Sequence, residues 1–287
     1  MQIISPFRYP GSKQKLLPQI LPELKDLDGI SENFTDVFVG GGSVAIAVAK
    51  EYPNTTLHLN DKDSRIAAFW KVTSNDSVYE LIDKLDVKPT LDLFNEWRSK
   101  KCTADIDLAF QAFLLNRTAF NGIMSATPIG GKRQNGPYKL DSHYNFDKLK
   151  KIILECNRLL ADRTIVTCKD FREVLSAPME NTALYLDPPY IMKGNGLYAF
   201  DMSNQDHHAL AAILQGHDNW LLSYDDCALS RNLYASEIIS EIPARYCNKN
   251  NWCPRKELLI TKRNGKRSIN KLRVPSIANG VMDILIN

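Results

Sequence analysis

The stretch Leu184-Tyr185-Leu186-Asp187-Pro188-Pro189-Tyr190 decides how the rest of the chain is read. Ala183 to Leu186 is predicted to be a short buried strand, and two consecutive prolines stop it, since neither can donate to a sheet ladder. The stop delivers a carboxylate, a rigid carbonyl and an aromatic ring to the end of a sheet. Proline fixes its own φ and lacks an N–H, so Pro188 offers a bare acceptor beside Asp187. Two adjacent acceptors suit an exocyclic amine with its two N–H donors, and a ring above them suits a flat heterocycle.

Upstream, Asn33 to Val39 reads as a strand, followed by Gly40-Gly41-Gly42-Ser43 and an apolar helix from Val44 to Ala49. Strand, glycine turn and helix form the opening unit of a nucleotide-binding α/β fold, where a missing Cβ lets the backbone approach a ligand. A second strand, Thr56 to Leu59, ends in Asn60-Asp61, and Asp61 lies 21 positions beyond Gly40. An acid there is placed to accept ribose hydroxyls; capping the segment Ser64 to Lys71 is the alternative use for it. Ahead of the first strand, Pro6-Phe7-Arg8-Tyr9-Pro10-Gly11-Ser12-Lys13 forms a turn into a helix from Lys15 to Leu24. That turn is either a plain helix start or a mount for Tyr9 and Lys13 over a ligand.

From Ser77 to about Leu160 the alternation of strand and helix breaks down. Val78 to Leu85, Thr90 to Lys100, Asp105 to Leu115 and Phe146 to Leu160 are predicted to be amphipathic helices. Between the last two lies a polar stretch, Asn116 to Asn145, too long for a plain connector. Its basic, aromatic and amide side chains, among them Arg117, Lys132, Arg133, Asn135, Tyr138 and Lys139, suit either phosphate and base contacts or a solvated loop. The α/β pattern resumes with a strand from Thr164 to Cys168, ending in Lys169-Asp170-Phe171. There Asp170 is placed to accept an adenine amino group and Phe171 to stack on its ring, or the pair caps a helix and fills the core. A helix from Asn204 to Leu214, a strand from Trp220 to Tyr224, a helix from Ala228 to Tyr234 and a last strand from Glu257 to Thr261 complete the pattern.

The 287 residues, 44% hydrophobic and 24% charged, describe an ordinary globular chain, and a net charge of +3 is too small to argue for nucleic acid. The basic residues from Lys249 onward fit either a solvated tail or phosphate contacts. Six cysteines without a Cys-x-x-Cys pair predict buried thiols in a reducing compartment, and no spacing suggests a metal site. No signal-like segment and no run of about 18 apolar residues is present, so a cytoplasmic protein with no membrane contact is expected.

Taken together, the motifs running from Phe7 to Lys13, Asp36 to Ser43, Asn60-Asp61, Asn116 to Gly122, Cys168 to Phe171 and Leu186 to Tyr190 resemble those of the DNA adenine methylase family. Six motifs in this order, over most of residues 5 to about 262, make the resemblance specific, and Ser223 to Asp226 and Glu257 to Thr261 look like its looser later segments. The resemblance implies a Rossmann-like methyltransferase sheet (1–75 and 160–265), an inserted, mostly helical target-recognition domain (76–159) and a tail, 266–287, of unknown role. It implies S-adenosylmethionine as cofactor, held by Tyr9, Lys13, Phe38, Gly40, Gly42, Ser43, Asp61, Asp170, Phe171 and Asp187. Asp187, Pro188 and Tyr190 would act on N6 of an adenine flipped out of double-stranded DNA, as in restriction-modification enzymes. Arg117, Asn121 and the loop side chains Lys132, Arg133, Asn135, Tyr138 and Lys139 would approach that DNA, with no obligate protein partner. Tyr9, Ser12 and Val37 depart mildly from the family pattern; the shortened loop motif Gln134 to Lys139 leaves the target sequence open. RNA adenine, cytosine N4 and a glutamine amide are the alternative acceptors. A nicotinamide-dependent oxidoreductase and a non-catalytic DNA-binding relative are the alternative classes.

Overall fold

The computed structural model describes residues 5–8, 11–192, 200–248 and 251–262. Two apolar runs, β4 (Thr182–Leu186) and β5 (Trp220–Asp225), are buried at every position, as strands covered on both faces must be. They lie at the centre of a seven-stranded sheet with β1 (Asn33–Asp36), β2 (Thr56–Asn60), β3 (Thr164–Thr167), β6 (Ile238–Asn248) and β7 (Asn251–Thr261). The strand order is β3-β2-β1-β4-β5-β7-β6, parallel except for β7, which runs antiparallel to both of its neighbours. The chain winds outward to β3 in one half and restarts at β4 beside β1, where Asp36 is in register with Tyr185. Such a switch point opens a crevice at the C-terminal ends of the two strands, where α/β sheets bind ligands.

The helices are α1 (Leu17–Lys25), α2 (Ser43–Glu51), α3 (Ser64–Thr73), α4 (Ser77–Leu85), α5 (Leu91–Ser99), α6 (Asp105–Thr118), α7 (Phe146–Leu160), α8 (Phe171–Leu175), α9 (Asn204–Leu214) and α10 (Ala228–Leu233). Val78, Leu81, Phe113 and Ile153, from α4, α6 and α7, lie in the same buried cluster as Phe34, Val44 and Leu57 of the sheet half. The helices of 76–159 therefore extend the sheet's own core. Among the described residues no helix is long and apolar enough to cross a membrane.

Two elements differ from the sequence reading. The helix expected to be amphipathic over Asp105 to Leu115 becomes α6, buried on all sides from Ala109 to Thr118. Its buried Gln111 is satisfied, Nε2 donating to the carbonyls of Trp97 (2.6 Å) and Lys100 (2.8 Å). The last strand is also longer than Glu257 to Thr261. It starts at Asn251 and pairs with β6, a strand the sequence reading lacks. Pro243 and Pro254 obscure the alternation there, and this arm beyond the partner strand β5 is where a sheet tolerates proline.

Candidate active site

At the switch point a single cleft gathers the ends of β1, β2, β3 and β4 and encloses about 1330 Å³ out to its open mouth. Its floor is the glycine turn after β1. Gly40 (φ 44°) and Gly42 (φ 68°) adopt left-handed backbone, and Gly42 caps α2. A Cβ on Gly42 would stand 2.3 Å from Trp70 Cζ2, and Trp70 Nε1 donates to the Gly40 carbonyl at 2.9 Å. Phe38 and Ser43 flank the turn and also line the cleft.

Asp61 leaves β2 into this cleft and is tied to the turn. One oxygen accepts from Gly40 N and the other from Asp63 N, each at 2.9 Å. Burial pushes its carboxyl up to about 7 despite those two N–H groups. The alternative use as a helix cap falls to Asp63, which accepts from Arg65 N at 3.0 Å at the start of α3. Beside it, buried Asn60 fastens three strand ends: it donates to the carbonyls of Val37 (3.0 Å) and Lys169 (3.1 Å) and accepts from Thr167 Oγ1 (2.8 Å).

The sequence reading lacks Asp36 as a site residue. It is 2% exposed and lines the cleft, and its Oδ1 is buried with no hydrogen-bond partner. Burial and then the neighbouring Asp187 carboxylate raise it well above the usual carboxylate range. An acid at the end of a strand, directly before the apolar run Val37 to Val39 and the glycine turn, was the available signal.

Asp170 and Phe171 take the capping and packing roles, and both also line the cleft. Asp170 caps α8 through Arg172 N and forms a capping box with Glu173; Lys62 Nζ (2.8 Å) and Arg172 Nη1 (3.1 Å) also donate to it. Its burial disfavours charge, but the hydrogen bond from Lys62 and those from Arg172 outweigh this and lower its pKa. Phe171 is buried against Phe38, ring centroids 5.9 Å apart, and both rings line the cleft.

Asp187, at the end of β4, reaches the cleft and is already engaged. Lys13 Nζ lies 2.7 Å from each of its oxygens and donates to Oδ2. Tyr190, expected as an open stacking face, is 3% exposed; its ring lies parallel to Tyr224 (6.3 Å) with Lys13 Nζ 4.8 Å from its centroid. Pro188 is buried between them. Tyr9 lies outside the described residues.

The residues expected at DNA divide. Arg117 is 8% exposed and turns inward, donating to the Pro6 carbonyl and lying over the Phe113 ring. Burial lowers its pKa to about 10, and its bond to the Pro6 carbonyl anchors the N-terminal segment. Its neighbour Asn116 makes the same join, bonding Arg8 N (2.8 Å) and Arg8 O (3.1 Å). Asn121 (φ 55°) is exposed at the rim beside Phe120, which is 48% exposed, and the cleft wall begins at Gly122. Lys132, Arg133, Asn135, Tyr138 and Lys139 are all exposed on one loop.

The chain also resembles known proteins. Residues 9–247 match the family model of D12 class N6 adenine-specific DNA methyltransferases. The modification methylase StsI of Streptococcus sanguinis is 28% identical over 211 residues, 66% of this chain but 29% of its own length. The type II methyltransferase M.MjaIII of Methanocaldococcus jannaschii is 26% identical over 65% of this chain and 69% of its own. The type II methyltransferase M.CviBI of Paramecium bursaria Chlorella virus NC1A is 25% identical over 74% and 80%. The chain belongs to the D12 class N6 adenine-specific DNA methyltransferase family.

Proposed function

We propose that this chain transfers a methyl group from S-adenosylmethionine to N6 of an adenine flipped out of duplex DNA. The observation that carries the proposal is the shared cleft: Asp187 faces the space that the glycine turn, Asp36 and Asp61 enclose. The buried, unpaired oxygen of Asp36 fits the cofactor's ammonium group. Asp61 keeps lone pairs for the ribose hydroxyls, and Phe38 and Phe171 offer rings to the adenine. The cofactor's contribution is an electron-poor methyl group on a cationic sulfur.

The amine of adenine is a poor nucleophile because its lone pair is spread into the ring. Asp187 and the Pro188 carbonyl would accept its two N–H groups and so localise the lone pair toward the cleft. The charge-assisted bond to Asp187 is the stronger of the two. Extruding the base costs a few kcal/mol, and the exposed side chains Phe120, Asn121, Lys132 and Arg133 would offset it with base and phosphate contacts. On this reading 76–159 recognises the target, while 1–75 and 160–265 carry the chemistry.

Labelled cofactor and unmethylated DNA test the assignment. Asp187→Ala should lower DNA methylation by roughly 1000-fold or more while still retaining DNA. Turnover close to wild type in that variant would remove Asp187 from the mechanism.

A further inference from the structure

Lys13 stands between two carboxylates. Its Nζ is 2.7 Å from both Asp187 oxygens and 4.0 Å from Glu257 Oε2 on β7, while the Gly11 carbonyl accepts from it at 3.0 Å. Lys13 is 3% exposed and Glu257 1%. An ammonium so deeply buried must keep an anionic partner, because removing one member of such a pair leaves an uncompensated charge. The reaction proposed above nevertheless asks Asp187 to accept an amine N–H, and Lys13 lies against both of its oxygens.

We propose that Glu257 is a positioning residue that takes Lys13 over from Asp187 as the target amine enters. The inference rests on the functional reading given above. Closing the 4.0 Å gap to a charge-assisted hydrogen bond takes a movement of about 1 Å, within reach of a lysine side chain. No proton changes hands; Lys13 stays an ammonium and only its partner changes. The geometry around Glu257 is fixed for this. It is paired in register with Asp225 on β5, and the Asp225 carboxylate accepts from Ile191 N (3.1 Å) and Met192 N (2.8 Å), directly after Tyr190. The strand carrying Glu257 is thereby tied to the segment carrying Asp187 and Tyr190.

Glu257→Gln keeps the shape and removes the charge. With cofactor bound in advance, its single-turnover methylation rate should fall roughly 10- to 100-fold, with cofactor affinity and unfolding midpoint near wild type. Glu257→Asp should recover part of the rate. In a Lys13→Met background the same change should have little further effect, because the handover is already lost. A wild-type rate in Glu257→Gln, or an equal loss with and without Lys13, overturns the inference. A wild type that methylates no DNA overturns the functional reading instead. In that case the Lys13 side-chain NMR resonance, compared between wild type and Glu257→Gln without DNA, still decides: a shift supports the pairing and an unmoved signal overturns it.

Discussion

The strand-end cleft and the loop of residues 123–145 solve opposite problems. In the cleft, Asp36, Asn60 and Lys13 are buried and Asp61 is half-buried, and desolvation and neighbouring groups raise the two carboxyls. In the loop, the charged side chains are exposed, and besides turn hydrogen bonds such as Gly136 N to Gly130 O (3.2 Å) the side chain of Gln134 ties the backbone together. Gln134 donates to the carbonyls of Ile129 (2.7 Å) and Gly131 (2.9 Å) and accepts from Leu140 N (2.9 Å), while Leu140 itself is buried. On the proposed function, the first region would depend on shape and protonation, and the second on charge and on the salt around it.

Two glycines break the comparison most directly. Gly42→Ala meets both a positive φ and Trp70 at 2.3 Å, and should cost about 3 kcal/mol or more of stability. Gly131→Ala meets a positive φ but no atom within 4 Å, and should cost about 1 kcal/mol. Denaturant unfolding of the two variants checks this; equal losses would mean that the turn is no more tightly packed than the loop. Next in size, Asp36→Asn should weaken cofactor binding roughly 10- to 100-fold by calorimetry, whereas Lys132→Ala should leave it unchanged.

Protonation sharpens the contrast. Folded Asp61 holds a proton between its ordinary value of 3.8 and about 7, where the unfolded chain has released it. The ligand-free fold therefore loses stability as pH rises through that window. A ribose needs the ionised carboxylate, so cofactor affinity should rise with pH by up to roughly tenfold per unit and level off above about 7. Asp61→Asn should bind weakly and lose the inflection near 7; an unchanged profile would place the titrating group elsewhere. The smallest effect belongs to the loop. Lys132→Ala or Arg133→Ala should each reduce the salt slope of DNA binding by about one, with sequence preference intact. An unchanged slope would mean that the side chain does not reach phosphate.

Much of the cleft was legible because its residue types are forced by backbone geometry. A strand, a glycine turn and a helix, or a strand stopped by two prolines, can be read from short-range pattern, and Gly40, Gly42, Asp61 and Asp187 followed from it. What stayed hidden depends on contacts distant in sequence. Arg117 reads as a DNA-facing cation until the Pro6 carbonyl, 111 positions away, is seen to hold it. Tyr190 reads as an open ring until Tyr224 and Lys13 enclose it, and Lys13 reads as a ligand contact until Asp187, 174 positions on, takes its charge. The strand β6 was hidden by proline and charge on an arm whose pairing is wholly with β7.

The central claim is that this cleft presents an adenine amine to a methyl donor. The most direct test incubates the chain with S-adenosylmethionine and unmethylated duplex DNA, then digests the DNA to nucleosides for mass spectrometry. The account predicts N6-methyldeoxyadenosine. N4-methyldeoxycytidine, or methyl groups found only on RNA or protein, would contradict it.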